Sequence, residues 1–105
     1  MKKADFKIAE EFASRLREQL GEVNIIVYGS RARDDSESFS DMDICVIVEK
    51  MDRKTREIIF TIAWEAGFKE DVVIVPLIFE KKEWKDSPIL ESPIYKNIQR
   101  EGVKI

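Results

Sequence analysis

The apolar residues among the first twenty positions recur every three or four residues, which is the spacing of one face of an α-helix. Gly21 follows the last of them and suits a helix C-terminus, where glycine readily adopts the left-handed conformation. We therefore predict one amphipathic helix that ends near Leu20. Its apolar face consists of Phe6, Ala9, Phe12, Ala13, Leu16 and Leu20.

Two runs of β-branched and apolar residues predict the first two strands. Residues 23–28 end directly at Gly29, so the first strand leads into a Gly-Ser turn. Polar residues 34–40 form the loop that follows. Residues 42–48 are apolar on both faces apart from Asp43, as expected for a strand that is covered on both sides.

The second half of the chain continues the alternation of helix and strand. Asp52 suits the N-cap of a second helix, and Gly67 suits its end. Residues 71–79 predict a third strand, in which Pro76 indicates a sheet edge or a bulge because proline cannot donate a ladder hydrogen bond. The inner face of the second helix consists of Ile58, Ile59, Ile62, Ala63 and Ala66.

The tail contains two Ser-Pro pairs, a combination that is typical of a helix N-cap followed by its first turn. We expect a short final helix there, over Ile94, Tyr95 and Ile98. Together the elements predict an α+β fold, sandwich-like, with a small mixed β-sheet packed against helices. Residues 1–105 are expected to form a single domain. The Ser-Pro pairs are Ser87-Pro88 and Ser92-Pro93.

The amino-acid composition limits which binding partners and catalytic groups are possible. The chain has 18 Lys and Arg against 21 Asp and Glu, without a dominant basic block, so direct nucleic-acid binding is not expected. One cysteine, Cys45, and no apolar run long enough to cross a bilayer favour a cytoplasmic protein that does not enter a membrane. Because the chain has no histidine, acid-base and metal chemistry must come from carboxylates.

The candidate site is the spacing Gly29-Ser30, ten residues, Asp41-x-Asp43. A Gly-Ser turn can present N–H groups to phosphate, and two aspartates one residue apart on a strand share a face. Two such charges about 4 Å apart repel by roughly 4 kcal/mol at an effective dielectric of about 20. A divalent cation would neutralise them, and Asp71 would add a third carboxylate if the third strand pairs with the second.

The run GSRARDDSESFSDMDI resembles the signature of the polymerase β-like nucleotidyltransferases, most closely the minimal nucleotidyltransferases, MNT. This resemblance implies Mg²⁺-dependent nucleotidyl transfer, with two ions and Mn²⁺ as an alternative metal. It implies metal-binding and catalytic roles for Asp41, Asp43 and Asp71, the last also as the base for the acceptor hydroxyl. The expected nucleotide- and phosphate-binding residues are Gly29, Ser30, Arg33 and Ser40.

Two features near the Gly-Ser turn leave the nucleotide site open to interpretation. Arg33 is favoured over Arg31 for neutralising the departing pyrophosphate, because Arg31 could equally be a solvated surface charge. Asp34 stands where many relatives have a glycine, and Asp35 follows it, so extra negative charge lies near the expected triphosphate. Either both side chains point to solvent or nucleotide binding is weakened.

The resemblance also implies a partner. Small MNT proteins, the MntA type, are commonly antitoxins that transfer AMP from ATP, or use another nucleoside triphosphate, to silence a HEPN ribonuclease toxin at a tyrosine. A non-catalytic antitoxin that acts by complex formation, and transfer to a small molecule such as an aminoglycoside, remain alternatives. The partner or a second copy is expected to dock on exposed apolar residues, namely Trp84, Ile89, Leu90 and Tyr95.

Overall fold

A computed structural model describes residues 1–35, 37 and 39–105. Ser36 and Ser38, which belong to the predicted loop 34–40, lie outside the described residues. The elements, in chain order, are α1 (Lys3–Leu20), β1 (Asn24–Tyr28), α2 (Ser30–Arg33), β2 (Met42–Val48), α3 (Arg53–Phe68), β3 (Ile74–Glu80), α4 (Lys81–Lys85), a 3₁₀ helix (Pro88–Glu91), α5 (Pro93–Glu101) and β4 (Val103–Lys104).

The four strands form one mixed sheet in the order β3-β2-β1-β4. β1 is antiparallel to β2 and to β4, whereas β2 and β3 are parallel. The parallel pair is possible because α3 carries the chain back across the sheet between β2 and β3. The predicted α+β architecture, a small mixed sheet packed with helices, is confirmed.

Both faces of the sheet are covered, which explains the nearly continuous apolar sequence of β2. Ile44 and Val46 point to the larger core, which α1 and α3 close with residues such as Phe12. Cys45 and Ile47 point to the opposite face, where a smaller core is closed by the segment after β3. The side chain of Asp43 shares this second face, because alternate residues of a strand point the same way.

Of the two predicted boundaries of α3, the first agrees with the structure and the second differs. Asp52 caps the helix as expected, since its carboxylate accepts a hydrogen bond of 2.8 Å from the Thr55 N–H. Gly67 does not end the helix, which continues to Phe68. A Cβ at Gly67 would lie 2.2 Å from the Val72 carbonyl oxygen, so this glycine serves the close approach of the following turn.

The third strand begins at Ile74, three residues later than predicted, because residues 71–73 belong to the turn and its exit. Pro76 lies on β3 at the edge of the sheet, as its missing N–H predicts. The short helix α4 and the short strand β4 have no counterpart among the predicted elements.

The Ser-Pro pairs cap the tail helices as predicted: Ser87 accepts from the Ile89 N–H at 3.2 Å and Ser92 accepts from the Tyr95 N–H at 3.2 Å. The exposure expected for the docking residues of this segment is wrong, whereas their role in docking stays a prediction. Trp84, Ile89, Leu90 and Tyr95 are all partly buried. The Trp84 ring packs against Phe79 and Tyr95 at centroid distances of 5.2 and 4.7 Å, so this segment closes the smaller core.

Across the described ranges, the helices are too short or too polar for any of them to span a bilayer.

Candidate active site

The turn after β1 is held against Asp43. Gly29 has φ +80°, a conformation that glycine adopts without steric cost, and it precedes the one-turn helix α2. A Cβ at Gly29 would lie only 2.7 Å from the Asp43 carboxylate oxygen Oδ2. The backbone angle therefore favours glycine here, and a Cβ would have to displace the Asp43 carboxylate, so Gly29 and Asp43 lie close together.

The two aspartates of the motif flank the first residue of β2. Asp43 pairs with Tyr28 across the antiparallel β1–β2 ladder, whereas Asp41 precedes the strand and is exposed. Burial, followed by the charge of Asp41, raises the pKa of Asp43 above its ordinary value. The charge of Asp41 therefore opposes the ionisation of Asp43.

Arg31 is a buried structural residue and not a solvated surface charge, so that interpretation of Arg31 is wrong. Its side chain is only 7% exposed, and its Nη1 atom forms an ion pair of 2.7 Å with Oδ1 of Asp5 on α1. Its Nε and Nη2 atoms donate to the Ser40 carbonyl oxygen at 3.0 and 2.6 Å. Arg31 thus joins α1, the Gly-Ser turn and the residue that precedes Asp41.

Ser40 serves the loop through both of its oxygen atoms. Its carbonyl oxygen accepts from Arg31, and its hydroxyl oxygen accepts a hydrogen bond of 3.1 Å from the Glu37 N–H. Because Ser40 directly precedes Asp41, these contacts also fix the backbone position of Asp41. The predicted direct contact between Ser40 and nucleotide remains a prediction, since the hydroxyl can still donate its proton.

Arg33 is the exposed arginine of the turn. Its Nε donates to Asp35 at 3.1 Å and its Nη1 donates to Glu101, at the end of α5, at 2.9 Å. Asp35 therefore turns towards Arg33, while Asp34 ends α2 in the left-handed conformation with φ 63°. A phosphate that binds Arg33 must compete with two carboxylates.

Asp71 lies apart from the other carboxylates. It sits in the turn between α3 and β3 with φ 56°, and it lines a groove together with Phe60 and Trp64. On β3 the residue paired with Asp43 is Val75. No group of three or more acidic or cysteine side chains suited to a metal occurs among residues 1–35, 37 and 39–105. The structure brings together Gly29, Asp41 and Asp43, and it does not bring Asp71 to them.

Sequence reasoning missed Tyr28 and Asp5. Tyr28 is half-buried opposite Asp43, and burial, followed by the charges of Asp43 and Cys45, raises its pKa to about 12. Tyr28 therefore remains a neutral phenol beside the carboxylates. Asp5 has a detectable signal, because it lies three residues before Ile8 and four before Ala9, on the apolar stripe of α1.

The donor set of Asp41 and Asp43 fits a divalent cation. Their oxygens are the ligands that Mg²⁺ and Mn²⁺ prefer, and the described part of the chain offers neither carboxylate a salt bridge. The two carboxylates form a local excess of negative charge, which contributes, after burial, to the raised pKa of Asp43. A cation would offset this charge, with phosphate oxygens and water as its further ligands.

Comparison with known proteins identifies the family. The model of the nucleotidyltransferase domain family matches residues 9–105. A protein of Methanocaldococcus jannaschii, named "Putative protein adenylyltransferase MJ0141", is 33% identical over 73 residues, which cover 69% of this chain and 72% of that protein.

Solved structures share the fold at low sequence identity. A toxin-antitoxin crystal structure with AMP-PNP has a TM-score of 0.65 at 15% identity, covering 91% of this chain and 70% of that one. A structure of the tri-AMPylated Shewanella oneidensis HEPN toxin in complex with an MNT antitoxin has a TM-score of 0.56 at 16% identity, covering 95% of this chain and 70% of that one. With its fold, its Gly-Ser turn and its aspartate pair, the chain belongs to the nucleotidyltransferase domain family and is a nucleotidyltransferase.

Proposed function

We propose that this nucleotidyltransferase transfers AMP from ATP, with Mg²⁺, to a tyrosine hydroxyl of a HEPN-type toxin, and so acts as its antitoxin. The observation that carries the proposal is the close approach of Gly29 to Asp43, which supports a role for this turn in holding phosphate beside the two carboxylates. The name of the M. jannaschii relative supports a protein acceptor. The names of the structural neighbours, which mention AMPylation and AMP-PNP, support ATP and a toxin partner.

The transfer balances as a displacement at the α-phosphorus of ATP. The acceptor oxygen forms a bond to that phosphorus, the bond to the β-phosphate bridging oxygen breaks, and pyrophosphate leaves with its electron pair. The hydroxyl proton passes to a base or to water. Mg²⁺ bound at the carboxylates would stabilise the charge on the phosphate oxygens and orient the triphosphate.

The chain's own residues then have distinct roles. Asp41 and Asp43 hold the metal, and Gly29 with the Ser30 N–H and hydroxyl approaches the phosphates. Arg33 neutralises pyrophosphate after exchanging Asp35 or Glu101 for a phosphate oxygen. Asp71 remains a predicted base, although its distance from the pair favours a proton acceptor from another source.

A small-molecule acceptor would need a cavity beside the carboxylates. One cavity of about 320 Å³ is lined by residues that include Asn24, Ile47 and Trp84. Asn24 and Ile47 lie at the opposite end of the β1–β2 ladder from Tyr28 and Asp43. This placement favours a macromolecular acceptor, which can reach an open site from outside.

The decisive experiment compares the wild type with Asp41→Asn/Asp43→Asn. Calorimetric titration should show Mg²⁺-dependent ATP binding to the wild type and at least about a tenfold loss in the variant, because the cation loses both charged ligands. A control variant, Glu10→Gln/Asp86→Asn, removes two exposed negative charges elsewhere and should bind as the wild type does.

Transfer is measured with a HEPN-type protein from the same genome as acceptor and ATP labelled at the α- or the γ-phosphate. Only the α-label should remain on the acceptor, on tyrosine, and the double Asn variant should leave it unlabelled. Transfer by that variant at the wild-type rate would refute the metal site. Label retained from the γ-phosphate would refute adenylyl transfer.

A second candidate, neutralisation by complex formation alone, is favoured by one observation. Arg33 is already paired with Asp35 and Glu101, and this pairing opposes phosphate binding. Under this hypothesis, the double Asn variant would still bind and inhibit the toxin as strongly as the wild type. Under the adenylylation hypothesis, inhibition would require ATP and would be lost in the variant.

A further inference from the structure

A row of aromatic side chains is exposed along α3. Phe60, Trp64 and Phe68 follow one another at intervals of four residues and are 40, 65 and 69% exposed. The rings of Trp64 and Phe68 stack with a centroid distance of 4.8 Å, and the Arg56 guanidinium carbon lies 4.7 Å from the centroid of Phe60. We call Arg56, Phe60, Trp64 and Phe68 the aromatic row.

The flank of α3 that faces α1 carries ion pairs and not exposed aromatic rings. There, Glu65 pairs with Arg15 at 2.5 Å, and Lys69 pairs with Glu11 at 2.6 Å, both across to α1. The flank towards α1 is thus closed by ion pairs, whereas the aromatic row has large apolar rings in water. Contiguous exposed aromatic surface of this kind is characteristic of an interaction site.

The neighbouring strand limits how a partner can bind. The Met42 N–H donates to the Val73 carbonyl oxygen at 2.8 Å. The backbone polar groups of residues 73 and 75 therefore point towards β2, and those of residues 74, 76 and 78 point towards the open edge of the sheet. Pro76 has no N–H and interrupts that edge. An added strand could not form a continuous ladder there, so a partner must pack against side chains.

Opposite charges stand at the two ends of the aromatic row. Arg56 is at one end, and Asp71, whose N–H donates to the Phe68 carbonyl oxygen at 3.1 Å, is at the other. Asp71 also lines a groove of about 310 Å³ that runs beside Phe60, Trp64 and Phe68. Glu70 instead lines a separate groove beside α1. Arg56 precedes Trp64 by about two helical turns, and Asp71 follows the last helical residue, so the cation and the carboxylate lie on opposite sides of Trp64 along the helix axis.

We propose that the aromatic row is the interface of a two-fold homodimer, whose occupant is the same row of a second copy. A two-fold axis at Trp64 runs the two rows in opposite directions. Phe60 then faces Phe68 of the other copy, and Arg56 approaches Asp71 of the other copy. Such an isologous contact is self-complementary, since each contact occurs twice. This inference does not depend on the proposed activity.

The first test is the solution mass of the purified full chain. Sedimentation equilibrium over a hundredfold range of loading concentrations should show a monomer of 12.3 kDa in equilibrium with a species of about twice that mass. Trp64→Ser should weaken dimerisation at least about a hundredfold, because central aromatic residues dominate interfaces. Ile94→Ser, at an apolar position on α5 that is 37% exposed, is the matched control and should leave the dimer unchanged.

The second test addresses the predicted pairing. Arg56→Glu or Asp71→Arg alone should weaken the dimer about tenfold, because each reversal places like charges together twice. The double variant Arg56→Glu/Asp71→Arg should restore most of the affinity. Circular dichroism spectra should match the wild type in all variants, since these side chains are exposed.

Three results would overturn the inference. These are a wild type that is monomeric at every concentration, a dimer that survives Trp64→Ser, and single reversals that the double variant does not rescue. The first result would mean that the aromatic row does not bind a second copy of the chain. The second would place the dimer interface elsewhere, and the third would exclude the antiparallel pairing of the two rows.

Discussion

The turn after β1, which lies against Asp43, and the turn before β3, which carries Asp71, both contain residues of the predicted site, but their surroundings differ. In the first turn, Gly29 lies against the Asp43 carboxylate, and Arg31 ties the loop to Asp5 and Ser40 through buried contacts. In the second turn, Gly67 lies against the Val72 carbonyl oxygen, and Asp71 opens into a groove lined by aromatic rings.

The difference between the two turns shows how a candidate catalytic site can be distinguished from a docking surface. Around the first turn, polar groups converge on one another and the pKa of Asp43 is raised by burial and by its neighbour Asp41. Around the second turn, a lone carboxylate borders exposed apolar rings. Convergence of charged groups indicates chemistry, whereas a single charge beside aromatic side chains indicates docking. The following variants test this contrast, beginning with the largest expected effect.

Asp5→Ala should have the largest effect. It leaves Arg31 buried without its carboxylate and should lower the free energy of unfolding by about 3 to 5 kcal/mol. Chemical denaturation would measure this loss. The variant Asp5→Leu/Arg31→Met removes both charges and should recover most of the stability. It should nevertheless bind MgATP more weakly than the wild type, because the loop before Asp41 loses the hydrogen bonds from Arg31 to the Ser40 carbonyl oxygen. Full nucleotide affinity in that variant would show that the ion pair is not needed to position the site.

The two glycines should respond differently to alanine. Gly67→Ala forces a Cβ against the Val72 carbonyl oxygen and should destabilise the fold by about 1 to 3 kcal/mol, without a specific loss of ATP affinity in the protein that remains folded. Gly29→Ala should cost about 1 to 2 kcal/mol because of its positive φ. In addition, it should weaken MgATP binding about tenfold by displacing the Asp43 carboxylate. Thermal unfolding with and without MgATP measures both effects, and equal ligand-induced shifts would contradict this distinction.

Asp71→Asn should change AMP transfer less than about threefold, because Asp71 lies outside the pair of carboxylates. Asn also tolerates the left-handed backbone at this position, so the turn should be retained. The rate should be measured with saturating acceptor. A loss of a hundredfold or more would restore Asp71 as the base that the family resemblance implies.

Asp43→Asn should give the smallest change, a stabilisation of at most about 1 kcal/mol at pH 7 without Mg²⁺, since solvent screens this half-exposed group. The pKa of Asp43 is raised in the fold, so its ionised form opposes folding above that pKa, and the penalty disappears as the pH falls through it. The facing groups are Asp41 and the neutral Tyr28. The difference in Tm from the wild type should therefore shrink towards zero near about pH 3. With Mg²⁺ at pH 7, its sign should reverse.

Much of the fold could be predicted because its elements have local signals. The periodicity of α1, the apolar run of β2 and the Ser-Pro caps of the tail each depend on a few neighbouring residues, and the structure confirms them. Helix α4 and strand β4 were missed because they are short. β4 consists of Val103 and Lys104, which form a strand only by pairing with β1.

The site was predictable only in part. The spacing from Gly29 to Asp43 joins residues that one hairpin-like pair of strands brings together, so the motif identifies neighbours. Asp71 is separated from them by α3, and its place depends on where that helix ends. Because the helix continues past Gly67, the turn reaches to Val73 and Asp71 stays outside the strand.

The sequence by itself determined the order of the main elements, the Gly-Ser turn, the pair of aspartates and the family, because each depends on local patterns or short spacings. Only the tertiary structure decided that Arg31 is buried, that Arg33 is paired and that the aromatic row of α3 is exposed. These depend on which face of each element meets another. Residues distant in the chain, such as Asp5 and Arg31, acquire their roles only when the packing of helices on the sheet removes them from water.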